Sequence, residues 1–144
     1  MEITNEMRLM FLSKPENESF CRVSVASFLS ALDPVVSELV DVKTAVSEAV
    51  SNSIIHGYGN NFGIITVNMR ICENRRVEIS IEDSGRGIED ITKAREPLFT
   101  TKKDEERAGM GFTVMETFMD EIEVFSKPNE GTTVVMKKQL AVNT

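Results

Sequence analysis

The stretch EAVSNSIIH, residues 48–56, decides the fold of this chain because three polar side chains recur in it at every fourth residue. Residues four apart are neighbours on a helix surface, so Glu48, Asn52 and His56 form one narrow stripe. Apolar residues follow the complementary 3.6-residue period, and they are Leu39, Val42, Val46, Ala49 and Val50. The stretch therefore predicts a helix that packs on one face and presents polar groups on the other. Taken alone, the polar stripe also fits a solvated surface.

Two glycine-containing segments follow this helix. Residues 77–82 alternate apolar and polar side chains, which predicts a half-buried strand that ends at Asp83 in the turn DSGRG. Gly85 and Gly87 permit positive φ and a close approach of backbone to ligand. Farther on, Gly109 and Gly111 are expected directly before a helix, where free amides bind phosphate. Taken singly, each glycine pair fits an ordinary loop equally well.

Five motifs stand in a fixed order: residues 48–56, DSGRG, PLFTTK at 97–102, GMG at 109–111 and GTT at 131–133. This set resembles the GHKL superfamily of ATPases and kinases. Within that superfamily it most resembles the anti-sigma factor serine kinases of endospore-forming bacteria, over nearly the whole chain. The resemblance implies the GHKL, or Bergerat, ATP-binding fold, with ATP or ADP and Mg²⁺ as cofactors.

Composition is consistent with this reading. A chain of 144 residues is expected to form one domain, residues 1–144. The formal charge of −7 argues against a direct nucleic-acid partner. The two cysteines lack metal-ligand spacing and are expected to be reduced thiols. With no signal peptide and no apolar run long enough to span a membrane, the expected compartment is the cytoplasm.

The pattern of elements predicts an α/β fold: a two-layer sandwich with a mixed, largely antiparallel sheet and helices on one face. A first helix should run from about residue 16 to residue 32, with Ser13 and Glu16 as a capping box. Asp33 and Pro34 should begin a second helix that ends near Gly57. Residues 87–107 are expected to form a mobile lid with a short helix. Strands are expected at residues 7–12, 64–72, 77–82, 121–126 and 132–140.

Site residues can be assigned from their chemistry and from the resemblance. Asn52 offers an amide oxygen to Mg²⁺, and Glu48, one turn earlier, is placed as the general base for an attacking hydroxyl. Asp83 matches the family aspartate that accepts a hydrogen bond from the adenine amino group, so ATP should be preferred to GTP. Backbone and hydroxyl contacts to the nucleotide are assigned to Gly85, Gly87, Gly109, Gly111 and either Thr132 or Thr133.

The lid region carries three cations, Lys102, Lys103 and Arg107, any of which a closing lid could bring onto the γ-phosphate. A solvated charge run is the ordinary reading of such a stretch. Arg107 is favoured as the catalytic cation because it lies beside GMG and a guanidinium binds phosphate bidentately. His56, the only histidine, is either a phosphate contact or a helix cap.

The resemblance implies an anti-sigma factor that binds a sporulation sigma factor, forms a homodimer through the N-terminal strand and first helix, and phosphorylates a serine of an anti-anti-sigma factor. Glu18 and Arg22 are candidate partner contacts or a plain surface ion pair. Two alternatives stay open: a general-stress anti-sigma kinase of the same family, and a nucleotide-gated binding module without transfer activity. The identity of the sigma factor, the target serine and the dimer geometry do not follow from the sequence.

Overall fold

The computed structural model describes residues 2–88, 90, 91, 95 and 103–142. At residues 103–110 it describes the backbone alone. Its strands are β1 (Ile3–Leu12), β2 (Ile64–Cys72), β3 (Arg76–Asp83), β4 (Glu121–Lys127) and β5 (Gly131–Gln139). Its helices are α1 (Glu16–Leu29), α2 (Val36–Asn52) and α3 (Lys103–Phe118). A π-helical turn, Ser53–Tyr58, continues α2 and is called the π-turn below.

The strands form one sheet in the order β1-β2-β3-β5-β4, and every pairing between them is antiparallel. In β3, Val77, Ile79 and Ile81 are buried while the residues between them are more exposed. This alternation means that one face of the sheet meets the helices and the other faces solvent. The expected α/β fold is confirmed, and β2 has the expected bounds. The sheet is not mixed as expected, because each of the described strand pairs is antiparallel.

The core lies between the inner sheet face and the helices. Its α2 members include Val42, Val46, Ala49 and Val50, as the 3.6-residue period predicted. Both cysteines are free and buried, and burial, with a smaller contribution from Glu18, raises the pKa of the Cys21 thiol to about 12. That thiol is therefore a packing group. Among the described residues, no helix combines the length and hydropathy needed to cross a bilayer.

Two expected helix caps were wrong, although α1 begins at Glu16 as expected. Pro15 holds the N-cap position of α1 without a side-chain cap, and Ser13 instead accepts the Gly63 N–H at 3.0 Å. Helix α2 begins at Val36, because a 3₁₀ turn at Ser30–Leu32 ends on Asp33 in a left-handed conformation at φ 48°. A residue in that conformation cannot serve as the extended N-cap that the Asp-Pro pair predicted.

The third helix also begins earlier than expected. Gly109 and Gly111 lie inside α3, beyond its first turn, where amides donate to carbonyls four residues earlier. The expected phosphate cradle of free amides before a helix is therefore absent from this conformation. Residues 103–107 are Lys-Asp-Glu-Glu-Arg, and lysine, glutamate and arginine are strong helix formers. They favour a helix that begins before both glycines. Most of the proposed lid, residues 87–107, falls outside the described residues.

Candidate functional site

The polar stripe of α2 faces helix α3. A Cβ built on Gly111 would lie 3.0 Å from Nδ2 and 3.1 Å from Oδ1 of Asn52, and 3.3 Å from Oε2 of Glu48. The carboxylate and the amide therefore converge on one point, which the glycine backbone approaches because it has no side chain. Asn52 Nδ2 is buried and has no hydrogen-bond partner among the described residues. A buried amide without a partner is costly in a folded protein unless a ligand satisfies it.

Asp83 lies at the other end of the site, 5% exposed at the end of β3. Its Oδ2 accepts the Ser53 hydroxyl at 2.7 Å and its Oδ1 accepts the Gly85 N–H at 2.9 Å, with a further backbone bond from Thr132. Burial raises the pKa of Asp83 above its usual value, and the three hydrogen bonds oppose that shift. A carboxylate has about four acceptor positions, so three protein donors leave one for a ligand.

The π-turn and the DSGRG turn pack backbone against backbone. The Arg86 N–H donates to the Gly57 carbonyl at 2.9 Å, and a Cβ at Gly85 would lie 2.2 Å from that same oxygen. Tyr58 adds a second connection, because its hydroxyl accepts the Ser84 N–H at 2.8 Å and donates to the Ile64 carbonyl at 2.6 Å. The DSGRG turn, which begins at Asp83, is thus held to the π-turn through both Gly57 and Tyr58.

Three other residues assigned from the sequence are Thr132, Thr133 and Gly87, and they differ in the sheet face or the contact at which they lie. Thr132 pairs with Asp83 across β5 and β3, so its side chain shares the inner face with the carboxylate. Thr133 pairs with Glu82 on the outer face and is therefore the wrong one of the two threonines for a contact beside Asp83. Gly87, at φ +73°, approaches the Lys127 carbonyl: its position serves the packing of the turn against β4.

His56, the third residue of the stripe, lies beyond the end of α2. It lies in the π-turn, where the helical period changes, and it lines a cavity of about 420 Å³ that does not include Glu48, Asn52 or Asp83. The other residues that line the cavity are Gly57, Tyr58, Gly59, Asn61, Ser84, Gly85, Arg86 and Asn129. The contact with Gly111 therefore brings together Glu48 and Asn52, and a phosphate contact by His56 stays a prediction.

Several expected contributors cannot be placed. Lys102 and the side chains of Lys103 and Arg107 lie outside the described residues, as does any side-chain environment of Gly109. Within the described ranges, no group of three or more His, Cys, Asp or Glu side chains is arranged to hold a metal ion. On α1, the Arg22 guanidinium lies 3.4 Å from Glu18, with the arginine side chain 41% exposed and the glutamate 19% exposed.

Comparison with known proteins places this geometry in a family. Residues 11–138 match the family model described as the histidine kinase-like ATPase domain. The anti-sigma F factor of Thermoanaerobacter sp. (strain X514) is 60% identical over 140 residues, which are 97% of this chain and 97% of that protein. This chain belongs to the anti-sigma F factor family. The anti-sigma F factor of Caldanaerobacter subterraneus subsp. tengcongensis is 57% identical over 143 residues, 99% of each chain.

Solved structures support the fold of the anti-sigma F factor family member. The RsbU and RsbW domains of a Mycobacterium tuberculosis protein superpose with a TM-score of 0.71 at 18% identity, covering 98% of this chain and 34% of that one. A histidine kinase domain from Erythrobacter litoralis EL346 gives 0.57 at 16% identity, covering 85% of this chain and 61% of the other. The family model and the anti-sigma F factor relatives confirm the resemblance to anti-sigma factors of the GHKL superfamily, and the solved structures confirm the fold.

Three residues of the site were missed by sequence reasoning: Ser53, Gly57 and Tyr58. Each acts through a contact to a segment at least six positions away, and the Ser53–Asp83 bond joins residues 30 positions apart. The sequence contained one indication of Ser53, because this residue directly follows Asn52 in the stretch of residues 48–56. A six-residue π-helical turn is rare and is often found at functional sites, but the periodicity of the sequence did not predict this one.

Proposed function

We propose that this chain is an ATP-dependent protein serine kinase and an anti-sigma factor. It binds Mg·ATP or Mg·ADP between α2, the end of β3 and α3, and it transfers the γ-phosphoryl group to a serine of an anti-anti-sigma factor. It also binds a sporulation sigma factor and holds it inactive. Because both partners act on transcription, the proposed compartment is the cytoplasm.

The observation that carries the proposal is the convergence of Glu48 and Asn52 beside Gly111, with the buried Asp83 at the far end of the same site. This arrangement supports one elongated ligand with a base at one end and phosphates at the other. A pure nucleotide switch needs Asn52 and Asp83 but no carboxylate beside the phosphates. The position of Glu48 therefore favours a kinase over the non-transferring alternative.

Each proposed role follows from the chemistry of the side chain. The one free acceptor position of Asp83 suits the 6-amino group of adenine and repels the 6-oxo group of guanine. Glu48 is the carboxylate that accepts the proton of the attacking serine hydroxyl, while Asn52 orients the phosphate end. A loose phosphoryl-transfer transition state depends mainly on positioning and charge neutralisation, so Arg107 remains the proposed cation of the lid.

The site suits Mg²⁺ through Asn52. Its amide has no partner at Nδ2 within the part of the chain that the structure describes, and rotating the amide by 180° exchanges nitrogen and oxygen, so the carbonyl oxygen can take the same place. Mg²⁺ keeps several waters and needs few protein ligands, and when bound it neutralises charge on the phosphates. The single amide is consistent with such a site and would not suit a metal that requires a full set of protein ligands.

The proposed partner surface lies on α1 and β1, away from the nucleotide site. Phe20 is 54% exposed and Val23 is 65% exposed on α1, beside the Glu18–Arg22 pair. On the outer face of β1, Met10 is 59% exposed. Exposed apolar side chains near an ion pair are typical of protein interfaces, and they support the proposed homodimer and sigma-factor contacts here.

A phosphorylation assay tests the proposal. The purified chain is incubated with γ-labelled Mg·ATP and the anti-anti-sigma factor of Thermoanaerobacter, and the label is expected on one serine of that protein. The same preparation should retain the Thermoanaerobacter sigma F factor in a pull-down. Nucleotide binding without any transfer to serine would support the gated binding module instead. Absence of nucleotide binding would overturn the proposal.

A further inference from the structure

The bond between Ser53 and Asp83 is the contact from which the inference starts. Ser53 is 6% exposed and Asp83 is 5% exposed, and the hydroxyl donates to Oδ2 at 2.7 Å. A serine in a helix commonly donates to the carbonyl four residues earlier, but this hydroxyl points across to the sheet. A buried hydroxyl–carboxylate bond of this length is charge-assisted and stronger than one between neutral groups.

We infer that Ser53 is a positioning and selectivity residue for the nucleotide base: its hydroxyl holds Asp83 as an ionised acceptor, so that the site binds a 6-amino purine in preference to a 6-oxo purine. This inference rests on the proposed function, because it assumes that Asp83 meets the base. An ionised Asp83 accepts from the amino group of adenine. A protonated Asp83 has a donor of its own, which suits the 6-oxo group of hypoxanthine.

The surroundings of Asp83 make its charge state depend on few groups. Burial raises its pKa, and the hydrogen bond from Ser53 lowers it, ahead of those from Gly85 and Thr132. Titratable or charged side chains on the described segments around it include those of Glu48, His56, Tyr58, Glu82, Arg86, Lys127 and Glu130. Among these, Glu82 alone acts on the pKa of Asp83, and it raises it. Removing the Ser53 hydroxyl therefore favours protonation of Asp83.

The test compares ATP with inosine triphosphate, which differs from it in the 6-substituent and N1 of the base, by calorimetry across pH. Phosphate ionisation is the same for both, so the ratio of affinities reports on the base contact. In the wild-type chain, the ratio should fall as pH is lowered, since protonation of Asp83 removes the acceptor. In Ser53→Ala the fall should begin at higher pH. At neutral pH its ATP affinity should be about tenfold weaker, with a smaller loss for inosine triphosphate.

Two further variants complete the experiment. Ser53→Thr keeps the hydroxyl and should restore most of the ATP preference. Ser47→Ala is the matched control, because Ser47 lies on the same helix and its buried hydroxyl has no hydrogen-bond partner among the described residues. Its ratio should follow that of the wild-type chain at every pH.

Each other result decides against the inference. An equal loss for both nucleotides at all pH values in Ser53→Ala means a structural role only, and so does a profile that overlays that of Ser47→Ala. If Ser53→Ala does not fold, a pH-independent ratio in the wild-type chain or in Ser53→Thr overturns the idea. Failure of the wild-type chain to bind ATP is a different result: it overturns the proposed function, and this inference with it.

Discussion

Asp83 shows how one side chain can be both predicted and unexpected. Its place at the end of an alternating strand, before two glycines, indicated a ligand contact. Its burial and its three protein donors were not indicated, because they come from the π-turn, the DSGRG turn and β5. Burial disfavours the charged form, so Asp83 binds protons more readily in the folded state than in the unfolded state.

This difference predicts how stability depends on pH. The pKa of Asp83 is raised on folding. The native state therefore binds more protons than the unfolded state at every pH between 3.8, the ordinary pKa, and the raised pKa of the folded protein. Across that interval the contribution of Asp83 to the free energy of unfolding decreases as pH rises, and above it the contribution is constant. In Asp83→Asn this contribution is absent. The stability of Asp83→Asn relative to the wild-type chain should therefore increase with pH, by about 1.4 kcal/mol for each unit of pKa shift.

Urea unfolding of both proteins between about pH 4 and about pH 8 measures this difference. All other titrating groups are common to the two proteins and largely cancel. Asp33→Asn is a suitable control, since Asp33 is an acidic residue of the α1–α2 connection, far from this site. A relative stability of Asp83→Asn that decreases with pH would mean that its hydrogen bonds outweigh burial.

At the scale of elements, the contact of α3 with α2 governs access to the site. Gly111 occupies the place beside Asn52 and Glu48 where the proposed phosphates lie. Phe112 and Met115, which follow it, are buried in the core, so the second half of α3 is fixed. The first half contains Gly109 and is followed directly by Gly111, and each glycine weakens a helix by about 1 kcal/mol relative to alanine. We expect this half to move when nucleotide enters.

Gly111→Ala tests that expectation. The new methyl group would lie 3.0 Å from the Asn52 amide, which must shift, and alanine also favours the helical conformation of α3. Both effects oppose nucleotide binding, so the affinity for Mg·ATP should fall about tenfold or more, which corresponds to about 1.4 kcal/mol. Stability should change by less than about 1 kcal/mol, because the gain in helix propensity offsets the closer contact. Calorimetric titration and urea unfolding measure the two quantities.

Thr117→Ala provides the matched control for this variant. Thr117 is exposed on the same helix, and its hydroxyl donates to the Thr113 carbonyl one turn earlier. Alanine there raises helix propensity without approaching Asn52, so ATP affinity should stay within about twofold. If Gly111→Ala binds ATP as the wild-type chain does, then the close approach of α3 to Asn52 has no part in binding.

For the whole molecule, sequence reasoning succeeded where the signal was periodic. The alternation in β3 and the 3.6-residue period in α2 each predicted which residues are buried, because burial of one face sets the period. It failed where a boundary depends on tertiary contacts. Ser13 bonds to Gly63, 50 positions away, in place of capping α1, and α3 extends past Gly109 against α2. Thr132 and Thr133 became distinguishable only once the β3–β5 register was known.

The separation between the nucleotide site and the surface of α1 predicts that the two proposed activities can be lost independently. Glu48 lies on α2 beside α3, whereas Arg22 lies on α1 with its side chain 41% exposed. Glu48→Gln should reduce serine phosphorylation about 100-fold, the low end for a general base in a reaction with a loose transition state, and should leave sigma-factor binding unchanged. Arg22→Ala should weaken sigma-factor binding about tenfold and leave phosphorylation intact.

Single-turnover phosphorylation and a sigma-factor titration on the same purified variants measure both effects. Arg76→Ala is the control for Arg22→Ala, because Arg76 also forms an ion pair, with Glu121 at 3.5 Å, but lies on the central strand β3, two strands away from β1. It should change neither activity.

Full transfer by Glu48→Gln would remove Glu48 as the base. Loss of both activities in Glu48→Gln would mean that the site and the α1 surface are coupled through the core, since α1 and α2 pack on each other through buried residues such as Val25 and Val46.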